Sequence, residues 1–493
     1  MIRTTLPPLP CLLVAAAVLA ACAPASPGVH GAAATAPSPA ERWTPPAERS
    51  AAPVPAPFTP DLPADLAPRR NSLGLGDVVD LALRRSPDTR IAWETARAQA
   101  ASYGAAQGEY WPELTIDLGV TTLRTAATQG RTAVKQTVYG PTASLTWLLL
   151  DVGGRGGRIG EARNALLAAD WTHNAAIADV VRGTSLAFYD YVALRALVTA
   201  RRQSLREAEV NLAASEDRRR VGVATVADVL QAQTARAQAR LLVQQTEGDL
   251  AVARGVLATA VGLPPTAELE ADSAAGRRPV TPLADSVEAL IATALERRPD
   301  LAAARANVDA ARERARAVRA ARYPSLTASG TGGRTFIAAD GSAGNFYSVG
   351  LGLAIPVFNG FTWEYNARAA RALADAESAR TDRLARDVTS QVFSAYHTLR
   401  TAVERARTSD ELRGSAEASA EAARARYKEG VGSIIELLAA ENALADARAQ
   451  QISARLAWYA AVVDLAYASG VLEPNGTHGL TLDPAAAPPD STR

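Results

Sequence analysis

The chain is poor in the residues that build most catalytic and metal centres. Its 493 residues hold two cysteines, one methionine and four histidines. The histidines (His30, His173, His397, His478) lie far apart, and no spacing pairs two of them for a metal. Charge of one sign is also lacking. The 52 Lys and Arg against 51 Asp and Glu leave a formal +1, which gives no footprint for nucleic acid. No phosphate-cradling Gly-Lys-Ser/Thr loop and no nucleophile elbow occurs. Gly153-Gly154-Arg155-Gly156-Gly157 lacks the Lys-Ser/Thr ending and reads as a flexible joint between a strand and a helix. These absences argue against an enzyme and imply no cofactor. Proline, finally, is missing from Pro141 to Pro264 and again from Pro356 to Pro474. Long stretches without proline, rich in Ala, Arg, Glu and Gln, predict helix.

What is present is a duplication. Arg84-Arg85-Ser86-Pro87-Asp88 is answered by Arg297-Arg298-Pro299-Asp300, and Trp111-Pro112-Glu113-Leu114-Thr115 by Tyr323-Pro324-Ser325-Leu326-Thr327. Both landmark prolines are displaced by 212 residues, whereas Gly222 matches Gly430 and Gly262 matches Gly470 at 208. One unit of roughly two hundred residues is repeated, far longer than solenoid periods of about 20–50. The predicted repeats are 72–264 and 285–472, joined by a linker 265–284 and followed by a flexible tail 473–493.

The N-terminus reads as a secretion signal. Met1-Ile2-Arg3 is a short positive start, and Leu9 to Ala21 is apolar but short for a membrane span. It closes on Leu19-Ala20-Ala21-Cys22, which resembles the bacterial lipoprotein cleavage box. Small residues precede the cut, and the Cys22 thiol becomes the acceptor for diacylglycerol. Residues 1–21 are then a lipoprotein signal peptide, and Cys22 carries the lipid. Removal of Cys11 with the signal leaves one acylated cysteine and no disulfide. Ala23, where Asp would suggest inner-membrane retention, points to the outer membrane. Residues 22–71, dense in Pro, Ala and Ser, predict a tether that cannot form a core.

Each repeat runs helix, two short alternating segments, then a very long helical hairpin. The hairpins are predicted over 157–262 and 363–470. The first arm, from Gly157 to about Arg220, would be about 95 Å long at about 1.5 Å per residue. Large apolar residues appear in narrow sets such as Val226, Val229 and Leu230, or Ile434, Leu437 and Leu438. Thin stripes suit helix-on-helix coiled packing, and rods packed edge to edge can enclose a hollow.

Strands are predicted over about 113–123, 142–150, 325–335 and 346–356. Leu114, Ile116, Leu118 and Val120 alternate with Thr115, Asp117, Gly119 and Thr121, and Val349, Leu351, Leu353 and Ile355 with Ser348, Gly350, Gly352 and Ala354. One apolar face and one small or polar face is what a lipid-facing, water-lined barrel strand needs. Tyr110, Trp111, Tyr139, Tyr323, Phe346 and Tyr347 fall near strand ends, as in an interfacial aromatic girdle. Four strands cannot close a barrel, and open edges in lipid leave backbone groups unpaired at several kcal/mol each. The chain must share a barrel with copies of itself, as a dimer or a trimer.

From about Ser72 to Leu472 the ordered set, twice over, resembles the outer-membrane efflux family, the TolC-like channels, and more closely its lipoprotein branch. The resemblance rests on Pro87-Asp88 and Pro299-Asp300, and on Trp111-Pro112 and Tyr323-Pro324. It rests also on the strand exits Leu150-Asp151-Val152-Gly153-Gly154-Arg155 and Ile355-Pro356-Val357-Phe358-Asn359-Gly360, and on the paired hairpin tips. Thr362-Trp363 and Asn359 depart from the usual basic and Asp positions. The resemblance implies a mainly α fold with a transmembrane β-barrel part. The resemblance also implies assembly as a homotrimer, a twelve-stranded outer-membrane barrel on a twelve-helix periplasmic tunnel. The implied function is a passive exit duct for substrates delivered by an inner-membrane pump and a periplasmic adaptor. A periplasmic adaptor-like or structural coiled-coil lipoprotein is the alternative, and it needs no lipid-facing strands.

The hairpin tips carry the remaining candidate chemistry. Thr225-x-x-Asp228 and Ser433-x-x-Glu436 read as capping boxes opening the return helices. Asp228 and Glu436 are also candidates for a periplasmic gate, held shut with Arg219 and Tyr427, the matched residues before the turns. By resemblance Glu436 falls at an acidic constriction position, while Ala439 replaces a second acid. Gly222, Gly430 and Gly432 are expected to shape the turns and, by resemblance, to meet the adaptor.

Overall fold

The computed structural model describes residues 72–124, 135–272 and 283–473, with 62–63, 65–66, 280–281, 475 and 479–480. All belong to one unit, Phe58–Arg493. Cys22, the signal peptide and most of the tether lie outside the described residues.

The same order of elements occurs twice. The first copy holds α1 (Leu75–Arg85), α2 (Pro87–Gln107), β1 (Glu113–Arg124), β2 (Lys135–Leu150), α3 (Gly154–Arg220) and α4 (Val226–Ala260). The second holds α5 (Val287–Arg297), α6 (Pro299–Ala320), β3 (Ser325–Ile337), β4 (Ala343–Ala354), α7 (Thr362–Lys428) and α8 (Ile434–Ala468). Pro87 and Pro299 each occupy the first turn of their helix, where the missing N–H costs nothing. The long arms α3 and α7 have 67 residues each and the return helices α4 and α8 have 35. At about 1.5 Å per residue a long arm reaches about 100 Å, twice its partner. The other half of α3 packs on α2 and α6. Gly157 makes that approach close, because a Cβ there would lie 2.7 Å from the backbone nitrogen of Ala317.

Two apolar clusters form the core, one for each copy. In the first, Val78 and Leu81 of α1 meet Phe188 and Tyr191 of α3 and Leu257 of α4. In the second, Leu290 of α5 meets Val388, Val392 and Leu399 of α7 and Trp458 and Leu465 of α8. Tyr189 of α3 packs against both clusters and stacks on Tyr459 of α8, ring centroids 4.5 Å apart. Towards the tips the packing thins to small residues such as Ala416, Ala420 and Ala447 around Leu444.

Along α3 and α8, ion pairs and hydrogen bonds also cross the seam between the two copies. Arg182 pairs with Asp464 at 2.7 Å, and the Tyr467 hydroxyl donates to Asp179 at 2.6 Å. Nearer the tips Arg448 donates to both oxygens of Glu207 at 3.1 and 3.2 Å. Arg424 of α7 closes the group with two bonds to the buried Glu441, at 2.5 and 2.8 Å.

The strands form one antiparallel sheet in the order β1-β2-β3-β4. Directly paired residues share a face, so the register aligns Leu114, Leu145, Gly330 and Val349, and next to them Ile116, Ala143, Gly332 and Tyr347. The opposite face carries Thr115, Ser144, Thr331 and Ser348. The alternation of apolar with small or polar residues expected in each segment is therefore a property of the whole sheet. Phe346 differs from expectation: it lies on the face of Ser348, with its ring over Gly333, while Tyr347 lies on the apolar face. Tyr139 stacks on Phe336 at 5.4 Å.

β2 begins at Lys135, not near 142, and β4 runs from Ala343 to Ala354, not from 346 to 356. Pro141, one residue before the expected start of β2, lies inside the strand. Pro141 pairs with Leu118 of β1, and the ladder to β3 skips Gly140 and Pro141. Gly140, at φ +154°, allows this, since a Cβ there would lie 1.9 Å from the Arg334 carbonyl oxygen. β1 and β4 are the outer strands, and one chain leaves the sheet open. Among the described residues no helix is long and apolar enough to cross a membrane.

Candidate functional site at the hairpin tips

Both tips turn on a glycine in the left-handed region, Gly222 at φ +83° and Gly430 at +82°. In the first, the N–H of Val223 reaches back to the Arg218 carbonyl at 2.9 Å. In the second, the N–H of Val431 reaches the Arg426 carbonyl at 3.0 Å. These bonds satisfy carbonyls that the helix ends would leave free. Gly432 is held for space: a Cβ would lie 3.0 Å from that of Arg426.

The return helices start differently. At the first, the Thr225 hydroxyl accepts the Asp228 N–H at 3.3 Å, and the Asp228 carboxylate accepts the Thr225 N–H at 2.7 Å. At the second, Ser433 accepts the Glu436 N–H at 3.2 Å, but the exposed Glu436 carboxylate turns to Arg426 at 3.8 Å. The expected second capping box is thus half formed. Glutamate is long enough to pair with a cation one turn back across the tip.

Tyr427 sits at the centre of the site. It is 9% exposed, packed with Ile434 and Leu437. The Arg218 guanidinium lies over its ring at 4.6 Å and donates to its carbonyl oxygen at 2.6 Å. That pair links the first hairpin to the second. The Tyr427 hydroxyl is buried without a hydrogen-bond partner among the described residues. Burial raises its pKa, the Arg218 charge opposes that, and the Asp228 carboxylate adds to it. Asp228, Arg218 and Tyr427 therefore share one electrostatic neighbourhood. Arg219, the match of Tyr427 in the first repeat and a candidate partner for the acids, is exposed. One residue step turns the side chain about 100° around the helix, and it is Arg218 that faces the second hairpin. Arg218 was missed because Arg218-Arg219-Arg220 look alike in sequence and the repeat offset matches Arg219 with Tyr427. The site can hold two hairpins together through a stacked cation and present acids on either side of it. Two of the expected gate residues, Asp228 and Tyr427, are brought near each other, while Glu436 stands apart with Arg426.

Residues 78–263 and 290–471 match the outer membrane efflux protein family. Over 427 residues the chain is 30% identical to Protein CyaE of Bordetella pertussis, covering 83% of this chain and 86% of that protein. Among solved structures it superimposes on a membrane protein from Pseudomonas aeruginosa with a TM-score of 0.70 at 23% identity, over 88% of this chain and all of that one. The CmeC outer membrane channel of Campylobacter jejuni gives a TM-score of 0.70 at 17% identity, over 82% and 86% of the two chains.

Proposed function

Because the chain belongs to the outer membrane efflux protein family, we propose that it is the outer-membrane channel of a tripartite efflux or export system. It is a passive exit duct, fed by an inner-membrane pump through a periplasmic adaptor. The observation that carries this reading is the sheet. Four strands present one continuous apolar face, a polar reverse and two bare outer strands, above hairpin arms of about 100 Å. In lipid, each unpaired backbone group on β1 or β4 would cost several kcal/mol. Pairing β4 of one copy with β1 of the next removes both edges. Three copies supply twelve strands and, on the same axis, a periplasmic tunnel of helices, with Cys22 carrying lipid at the membrane. The tips close the tunnel, with Asp228, Tyr427, Glu436 and Arg219 candidates for the gate. Arg218 joins them, and Gly222, Gly430 and Gly432 shape the surface offered to the adaptor.

Mass measurement of the detergent-solubilised protein tests the assembly, and planar bilayers test the duct. A trimer that conducts ions is expected. A stable monomer or dimer, or a trimer without conductance even after removal of the tip contacts, would overturn the reading.

A further inference from the structure

On the apolar face of the sheet one cation is out of place. The register sets Arg334 of β3 opposite Asn345, on the face that carries Leu326, Ala328, Gly330, Gly332 and Phe336 of the same strand. β3 pairs with strands of its own chain on both sides, so a copy joining β1 or β4 leaves this face uncovered. At the end of the sheet away from the helices, Arg124 of β1 and Lys135 of β2 stand directly opposite each other, on the face of Leu118 and Val120. Like charges so placed repel. All three cations are exposed, and among the described residues none forms an ion pair.

The charge is one-sided along the strands. In sequence, the stretches 118–142 and 331–348, which contain the outward halves of the four strands, hold Arg124, Arg131, Lys135 and Arg334 against one acid, Asp340. That carboxylate accepts the Ser342 N–H at 2.9 Å within its own turn. The stretches nearer the helices, 113–117, 143–151, 325–330 and 349–355, hold Glu113, Asp117 and Asp151 and no Lys or Arg. Arg334 also has a fixed direction. Its guanidinium lies 5.2 Å from the centre of the Phe336 ring, two residues farther from the helices, and Phe336 stacks on Tyr139. A cation on a lipid face is costly at the midplane and much less so at the interface, and leaning outward over an aromatic ring lowers that cost. Below it, Gly332, Gly330 and Ala328 form a low strip between Leu145 and Trp147 on one side and Val349 and Leu351 on the other. At about 3.3 Å per residue it is about 13 Å long. Neither glycine has a positive φ, and a Cβ at either would meet nothing nearer than 3.6 Å. The strip is room for a hydrocarbon chain beneath the cation.

We propose that this rim binds an acidic lipid of the outer leaflet with more than one phosphate on its head, a first phosphate on Arg334 and the rest facing Arg124 and Lys135. This rests on the barrel reading above and gives the barrel's outer rim a ligand. The occupant is a lipid because the three cations share the face of Leu118 and Val120, which a water-soluble partner does not reach. It carries phosphate because a guanidinium presents a planar fork of N–H donors matched to that group. It carries more than one because the cations are spread out. Arg334 is two residues from Phe336, whose partner Tyr139 is four from Lys135. Those six residues of strand span about 20 Å, too far for one phosphate to meet both.

Native mass spectrometry of the full-length, detergent-solubilised protein reads assembly and bound lipid in one spectrum. The wild-type trimer should retain added bisphosphorylated lipid A about tenfold better than the same lipid stripped of its phosphates. Arg334→Gln should lose most of that preference and keep the trimer, because it only removes a charge from the lipid face. Arg334→Lys, which keeps the charge without the fork, serves if the glutamine variant does not assemble, and it too should bind less than wild type. Arg124→Gln combined with Lys135→Gln should lose a smaller part. Arg322→Gln, an exposed cation before β3 at the end near the helices, should bind as wild type does. A wild-type trimer that holds both lipid forms equally overturns the site. So does lipid A retention that is unchanged in the Arg334 variants, or that falls as far in Arg322→Gln. A wild-type protein that forms no trimer sinks the barrel instead, and the site with it.

Discussion

Arg218 and Tyr427 are joined twice, by a guanidinium lying 4.6 Å from the ring centre and by its hydrogen bond to the tyrosine carbonyl at 2.6 Å. Residues at the ends of two different long arms are thereby fixed to each other at the point where the hairpins turn. A stacked cation of this kind is worth about 0.5–2 kcal/mol, depending on how far water is excluded. In the proposed trimer, three such pairs would bias the tunnel mouth towards one state.

Arg218→Ala is expected to raise single-channel conductance in planar bilayers, and Arg219→Ala to raise it less. Tyr427→Phe removes a hydroxyl with no partner among the described residues. A rise in conductance on that change would therefore report a contact made by another copy. Equal effects of the two arginine variants would remove Arg218 from the gate.

The acids separate capping from gating. Asp228→Ala and Thr225→Ala each remove half of a reciprocal cap and should cost about 1 kcal/mol. The pair should be less than additive, read as hydrogen exchange in the first turn of α4. Glu436→Gln spares its helix cap, which uses the backbone N–H and the Ser433 hydroxyl. It should weaken cation selectivity with no added exchange. Conductance and selectivity unchanged in Asp228→Ala and Glu436→Gln would leave these residues a capping role alone.

Two glycines paired across β1 and β2 should behave in opposite ways. At Gly140 a Cβ meets the Arg334 carbonyl at 1.9 Å, whereas at Gly119 nothing lies within 4 Å. Gly140→Ala is expected to abolish the heat-resistant trimer band on a denaturing gel, and Gly119→Ala to keep it. Retention in both would show that β2 and β3 separate more easily than their register suggests.

The α3/α8 seam should respond to alkali. Burial, then the hydrogen bond to Asp179, pushes the Tyr467 phenol from 10.0 up to about 12. Between these values the unfolded chain has released its proton and the folded chain has not. This contribution to stability is thus full below pH 10 and falls as pH rises through 12. Tyr467→Phe should delete a phenolate step near 12 in an ultraviolet titration difference. A difference step near 10 would contradict the seam geometry.

Cys22 is the expected lipid acceptor. Labelled fatty acid should enter the wild type and not Cys22→Ala, whose trimers should still conduct if the barrel itself holds the protein in the membrane. Label that survives the substitution would place the acyl chain elsewhere.

Local chemistry determined much of this protein. The absence of proline permits helices of 67 residues, alternation in 114–121 and 348–355 marks strands with two unlike faces, and the offset of 208 declares the second hairpin a copy of the first. Each is a property of neighbours along the chain, so it is legible without the fold. Tertiary structure decided the rest. The start of β2 at Lys135 was set by the ladder, which steps around Gly140 and Pro141. Arg218 could not be chosen from three consecutive arginines, because the phase of a helix end is set by what the far hairpin presents to it. Glu436 left its cap for Arg426, a choice made by the closeness of two helices across a turn. Of the two repeats, α8 of the second is packed on α3, while α4 of the first keeps Val252 and Val256 exposed. Only packing shows which of two equivalent faces a single copy can cover by itself.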